Sequence, residues 1–119
     1  MKYMLMICRD EQVWEQLSPP QRQKIYAEMV QLADELAARG QYHGEGSPLH
    51  ASSSATCVRI RGGKRLVTDG PFVEAREQLG GYMIIDVPDL DEAIAIAARM
   101  PLAHTGAIEV RPVREGAPR

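Results

Sequence analysis

The sequence predicts a single α+β domain built on a ferredoxin-like β-α-β-β-β-α-β sheet. Three observations predict it. Two amphipathic helical stretches, each opened by a capping signal, lie far apart in the chain. Apolar or alternating strand patterns flank both of them. Between the two β-α-β passes stands a Gly-Gly hairpin signal, Gly62-Gly63. At 119 residues the chain suits one domain with a proper core. Right-handed crossovers put both helices on one face of the sheet and leave the other face bare.

The elements follow in order. Residues 2–8 are apolar on both sides, with Tyr3, Leu5 and Ile7 on one face and Met4, Met6 and Cys8 on the other; this is the pattern of a central strand. Arg9-Asp10-Glu11 ends it, and Val13, Trp14 and Leu17 form a short connector in which Trp14 anchors the segment on the core or on a partner subunit. Ser18-Pro19-Pro20-Gln21 opens a helix as a capping box with Pro in the first turn. Ile25, Met29, Leu32 and Leu36 recur on one face of that helix, and Gly40 stops it. Gln41-Tyr42 begins a short strand, and Gly44-Glu45-Gly46-Ser47-Pro48 reads as irregular. Thr56–Arg61 and Lys64–Thr68 form a hairpin whose Arg59, Arg61, Lys64 and Arg65 make a solvated basic tip or an anion cradle. Tyr82–Val87 is a buried strand rich in β-branched residues. Asp89 and Glu92 cap a second helix with a stripe of Leu90, Ala93, Ile94, Ala97 and Met100, ended by Pro101. Ile108, Val110 and Pro112 alternate with Glu109 and Arg111 in the last strand. The domain runs over residues 1–113, with a flexible tail at 114–119.

One stretch escapes all periodicity: Thr68-Asp69-Gly70-Pro71-Phe72-Val73-Glu74, then Glu77 and Leu79-Gly80-Gly81-Tyr82. Gly70 frees the backbone and Pro71 fixes it, so a defined bend is expected. Phe72, the chain's single Phe, reads as a buried plug beside the turn. Asp69 either caps its own turn or faces a cavity together with Glu74. Spacing leaves both readings open.

Asp69-Gly70-Pro71-Phe72, with Glu74, Glu77 and Leu79-Gly80-Gly81-Tyr82 behind it, resembles the DGPF signature of the YCII-related (YciI-like) domain family. Lys2–Met6 is similar to that family's opening strand, Gly44-Glu45-Gly46 to its mid-chain turn and Ile108–Val113 to its closing strand. The resemblance implies a dimeric α/β-barrel arrangement, in which two sheets pack face to face. It also implies an acid/base pair, because His and Asp residues are regarded as active-site residues in some YciI-like proteins. Asp69 matches the signature position, and His104 lies in the loop before the last strand. DGPF proteins are commonly associated with extracytoplasmic-function sigma factors, so the resemblance implies a sigma factor as a protein partner.

Composition narrows the function classes. Fourteen basic against 16 acidic residues give a net charge of −2, with no basic field to draw nucleic acid. No run of 18 or more apolar residues suggests a membrane-spanning helix, and the short apolar start reads as a strand rather than a signal peptide. Cys8 and Cys57, in apolar strand patterns and outside any CxxC, read as reduced thiols of a cytoplasmic protein. The spacing of His43, His50 and His104 gives no metal site, and no GxGxxG motif or nucleophile elbow is present, so no cofactor is expected.

The remaining candidates are Asp69 and His104 for acid/base chemistry, with Asp69, Phe72, Glu74 and His43 lining a ligand pocket. His50 and Glu45 sit in the same mid-chain loop as His43. The reading favoured here is a small-molecule-binding homodimer with its pocket near the signature loop, in which proton transfer would serve an isomerase, lyase or hydrolase. The alternatives are a regulatory module associated with a sigma factor, and a structural dimer without chemistry of its own.

Overall fold

The structure, a computed structural model, describes residues 1–116. Strand β1 (Lys2–Asp10) buries every second side chain. Tyr3, Leu5, Ile7 and Arg9 go inward, while Met4, Met6 and Cys8 stay half-buried on the other side. Helix α1 (Glu11–Gln16) occupies the stretch that reads as a connector in the sequence. Its cause is Asp10, whose carboxylate accepts the Gln12 and Val13 N–H groups at 3.0 and 3.3 Å. The residue that ends the strand thus starts a helix.

Helix α2 (Pro19–Ala38) begins with the expected capping box: the Ser18 N–H donates to Gln21 Oε1, and the Gln21 N–H donates to Ser18 Oγ. Its Ile25, Met29, Leu32 and Leu36 stripe packs into the core, and the chain leaves it through Gly40 at φ +70°.

Strand β2 (Tyr42–Pro48) corrects the expectation of an irregular Gly44–Pro48 segment. Gly46, Ser47 and Pro48 pair with the neighbouring strand, and the irregularity is confined to the register shift between Tyr42 and Gly46. A Cβ on Gly46 would stand 2.7 Å from the Tyr82 carbonyl oxygen, so glycine is what lets the two strands approach.

Strands β3 (Thr56–Arg61) and β4 (Lys64–Asp69) form the expected hairpin, turning at Gly62 and Gly63 with φ +56° and +74°. They make a separate two-stranded sheet and leave the main one as an arm. Strand β5 (Glu77–Asp86) starts five residues earlier than the apolar run suggests and takes in Leu79-Gly80-Gly81. Helix α3 (Leu90–Ala98), with the Asp89 carboxylate accepting the Glu92 N–H at 2.9 Å, and strand β6 (Ala107–Pro112) complete the chain. Short 3-10 turns lie at Ser52–Ser54 and Pro101–Ala103.

The main sheet is antiparallel, in the order β2-β5-β1-β6. With α2 and α3 on one face, this α+β arrangement is compatible with a ferredoxin-like fold. Leu5, Leu36, Ile85 and Met100 are the fully buried centre of the core, each contributing about 1.5–3 kcal/mol by removal from water. Arg99 and Glu35 pair across the two helices. On the opposite face Met4, Met6, Cys8 and Ile84 form an apolar strip flanked by Glu109 and Arg111. Of the expected tail, Glu115 accepts the Lys2 N–H at 3.0 Å; residues 117–119 lie outside the described residues.

Helix α3 also corrects a phase. The helix buries Ala93, Ile96 and Ala97, while Leu90 and Ile94 face outward. Ile96→Ala is therefore expected to cost about 2–5 kcal/mol in urea unfolding. Ile94→Ala, at a half-exposed position, should cost no more than about 0.5 kcal/mol. The reverse ranking would contradict this packing.

Candidate functional site

A cavity of about 210 Å³ lies between the middle of α2 and the sheet. Ile25, Met29 and Ala33 form its roof, and Ile7, Met83 and Leu102 part of its wall. The floor is made largely by what is missing. Gly46 on β2 and Gly80 and Gly81 on β5 present no side chains to it. Tyr26 and Val30, exposed on α2, stand at the mouth beside edge strand β2.

The one charged lining residue is Arg9, at 5% exposure. It continues the inward alternation of β1. Its guanidinium stacks on the Trp14 ring at 4.3 Å from the centroid, and Trp14 in turn meets Tyr26 edge-on at 5.5 Å. Nη2 makes a long bond of 3.4 Å to the Leu49 carbonyl oxygen. Nε is buried without any partner. Among the described residues no carboxylate lies within ion-pair distance.

The strand pairing explains how the guanidinium fits. Ile7 pairs with Gly81 and Cys8 with Leu79, so Gly80 is the extra residue of a β-bulge. A Cβ at position 80 would stand 2.7 Å from Arg9 Nε.

The two acids next to Arg9 are used elsewhere. Asp10 caps α1 and binds Arg76 Nε at 2.7 Å. Glu11 accepts the Ser52 N–H at 2.7 Å and the Ser52 hydroxyl. Both hold loops at this end of the sheet: the signature loop through Arg76, and residues 49–55 through Ser52. A second, open depression beside α1 is lined by Glu11, Gln12, Ala75 and Arg76.

The residues singled out in the sequence lie away from this cavity. Asp69 is exposed at the end of β4, and Phe72 and Glu74 are exposed in the loop that follows it. Phe72 is 76% exposed rather than a buried plug, because the hairpin has left the sheet; the Arg59 guanidinium lies 5.6 Å from its ring centroid. Gly70, at φ +96°, makes the expected bend, and its N–H donates to the Ala55 carbonyl oxygen at 2.7 Å. Among the described residues the Asp69 carboxylate accepts no hydrogen bond, so it does not cap the turn.

His43 is exposed on β2 and His104 is exposed after the Pro101–Ala103 turn; neither meets the Asp69 loop in the cavity. His50 and Glu45 are exposed as well. Cys57 donates its thiol to the Gly70 carbonyl oxygen at 3.3 Å. Cys8 faces the open side of the sheet, and burial, then the Glu109 and Glu77 carboxylates, push its thiol up. Sequence reasoning missed Arg9. The signal was available: Tyr3, Leu5, Ile7 and Arg9 share one period-two face.

Asp10 carries the clearest pH dependence. Burial pushes its carboxyl up, but the Val13 N–H, the Arg76 guanidinium and the Gln12 N–H outweigh it and hold the group below the usual carboxylate range. A folded value below the unfolded one contributes stability above the unfolded value, lost as pH falls through the folded one. Asp10→Asn, which keeps a good cap, should therefore be less stable than wild type near neutrality and equal to it in acid. Equal stability at both ends in urea titrations would remove the ion pair's role. Asp69→Asn, which loses no hydrogen bond, should change stability by less than about 0.5 kcal/mol. A loss near 1 kcal/mol would instead indicate a cap.

The family model of the YCII-related domain matches residues 1–116. The chain is also similar to an uncharacterised protein of Rhizobium meliloti (strain 1021), 31% identical over 115 residues, which cover 95% of this chain and 92% of that protein. Among the described residues no helix is long and apolar enough to cross a membrane, and no cluster of three or more His, Cys, Asp or Glu could hold a metal ion. With the match running almost from end to end, this chain belongs to the YCII-related domain family.

Proposed function

We propose that this protein binds a small molecule in the cavity under α2 and works as a homodimer. One observation carries the binding reading: a cavity of about 210 Å³ between α2 and the sheet, lined mostly by apolar side chains and by the backbone of Gly46, Gly80 and Gly81. Interiors tolerate few voids larger than a water molecule. A cavity of about 150 Å³ with apolar walls already holds a benzene ring. This one has the size and lining for a single ring with a short arm.

The homodimer is supported by surface that a single chain leaves uncovered. Met4, Met6, Cys8 and Ile84 form the open strip of the sheet. Val58, Ile60, Leu66 and Val67 are exposed on both faces of the arm. A continuous apolar sheet face calls for a cover, and a second copy supplies one of matching shape. The radius of gyration, 16.1 Å, exceeds the roughly 13.5 Å of a compact chain of this length, which fits an arm that reaches for a partner. Face-to-face packing of two such sheets is the dimeric α/β-barrel arrangement.

Acid/base chemistry is a second proposal, and it belongs to the assembled dimer. The unpartnered Asp69 carboxylate favours it, since the cavity itself holds no carboxylate and no His.

Two variants test the main reading. Met6→Glu places a charge in the centre of the open strip beside Glu109 and should convert a dimer to a monomer in gel filtration; a wild-type monomer at micromolar concentration would sink the dimer. Ala33→Leu puts extra carbons into the cavity. It should keep the fold and abolish the thermal shift given by any ligand found in a metabolite screen. At a thousandfold excess over Kd that shift corresponds to about 4 kcal/mol. A hit that survives Ala33→Leu binds somewhere else.

A further inference from the structure

We infer that the cavity is a site for a monoanionic ligand, a carboxylate with an apolar body, and that Arg9 is its anion anchor. The inference rests on the binding reading above and adds the chemical class.

A guanidinium has five N–H donors and a fixed charge. At Arg9 the protein satisfies it with one long bond to Leu49 and the face of Trp14. Among the described residues Nε is buried without a partner, and the Leu49 carbonyl oxygen is the one acceptor the side chain reaches. A buried charge left without a counter-ion is costly, which is why arginines this deep are nearly always paired. The chain has candidate partners at hand and directs them away. Asp10 is held by Arg76 and the first turn of α1, and Glu11 by Ser52. Gly80, in turn, leaves the space the guanidinium occupies.

Most of the remaining lining suits the apolar body of such a ligand, with Ser47 and the tyrosines Tyr26, Tyr42 and Tyr82 as its other polar side chains. Ile7, Ile25, Met29, Ala33, Met83 and Leu102 offer apolar walls. The ligand therefore has one charged end, held on the guanidinium donors, and one apolar end beneath α2. Carboxylate on guanidinium is the strong, bidentate form of charge-assisted hydrogen bond. A dianion would bring a second negative charge into a cavity with a single cation, and a cation would meet like charge.

Phenylacetate, phenylacetamide and phenethylamine, nearly equal in size, separate these cases by calorimetry. Wild type should bind phenylacetate at least about tenfold more tightly than phenylacetamide, and should not bind phenethylamine. Arg9→Met keeps most of the volume and removes the charge. It should lose the preference, weakening phenylacetate about tenfold while leaving phenylacetamide unchanged. Equal wild-type affinity for the acid and the amide would overturn the anion inference and leave the cavity as a neutral site. Unchanged phenylacetate binding in a folded Arg9→Met would overturn it as well. Binding of none of the three probes would overturn the cavity as the site, and the inference with it. The wild-type acid-to-amide ratio needs no variant, so the inference stays falsifiable even if Arg9→Met does not fold.

Discussion

The Arg9 guanidinium sits where β1 ends, clasped between the Trp14 ring and the backbone at Gly80. Much of the surrounding geometry can be read as a consequence of keeping it there. A charge at 5% exposure requires a cover. Trp14 supplies it, and Trp14 is placed by α1, which exists because Asp10 caps it. Arg22 fastens the far end of α1 by donating to the Trp14 and Glu15 carbonyl oxygens at 3.1 and 2.8 Å. On the other side, β5 must approach without a side chain, and the bulge at Gly80 provides that. Three consecutive residues thus do three different things. Arg9 enters the cavity, Asp10 starts a helix and ties down the signature loop, and Glu11 ties down residues 49–55.

This arrangement links the two conspicuous parts of the signature stretch. Asp69-Gly70-Pro71-Phe72 turns outward from the arm, and Leu79-Gly80-Gly81-Tyr82 runs back into the sheet. The glycines allow close approach: a Cβ on Gly81 would stand 3.1 Å from the Ser47 carbonyl oxygen, and one on Gly80 would displace Arg9. The loop between them is joined to the Arg9 end of β1 through Arg76 and Asp10.

The fold was legible in the sequence wherever period or capping chemistry decided it. The two-faced apolar pattern of β1, the Ser18–Gln21 capping box, the Gly62-Gly63 turn and the Asp89 cap all stand as read. What was not legible came from tertiary context. Gly44–Pro48 looks like a loop by composition and lies in a strand because β5 offers partners to Gly46, Ser47 and Pro48. Phe72 looks like core material and is exposed because its hairpin pairs with nothing but itself. Leu90 and Ile94 share a helical stripe with Ala93 and Ala97, yet the sheet lies against the Ala93–Ile96–Ala97 side.

The candidate site followed the same division. Titratable residues near turns drew attention to Asp69, Glu74, His43 and His104, since loops that carry acids and histidines are where chemistry often sits. The cavity lies instead beneath a helix, where its determinants are glycines and an arginine at the end of an apolar alternation. Arg9 resembles a strand terminator only if charge is taken to mean exposure. Its parity says otherwise: a residue two places beyond Ile7 on a regular strand shares the face of Ile7, and burial there turns a charge into a demand for a counter-ion. That demand, met by no carboxylate of the described chain, gives an otherwise apolar cavity its chemical direction.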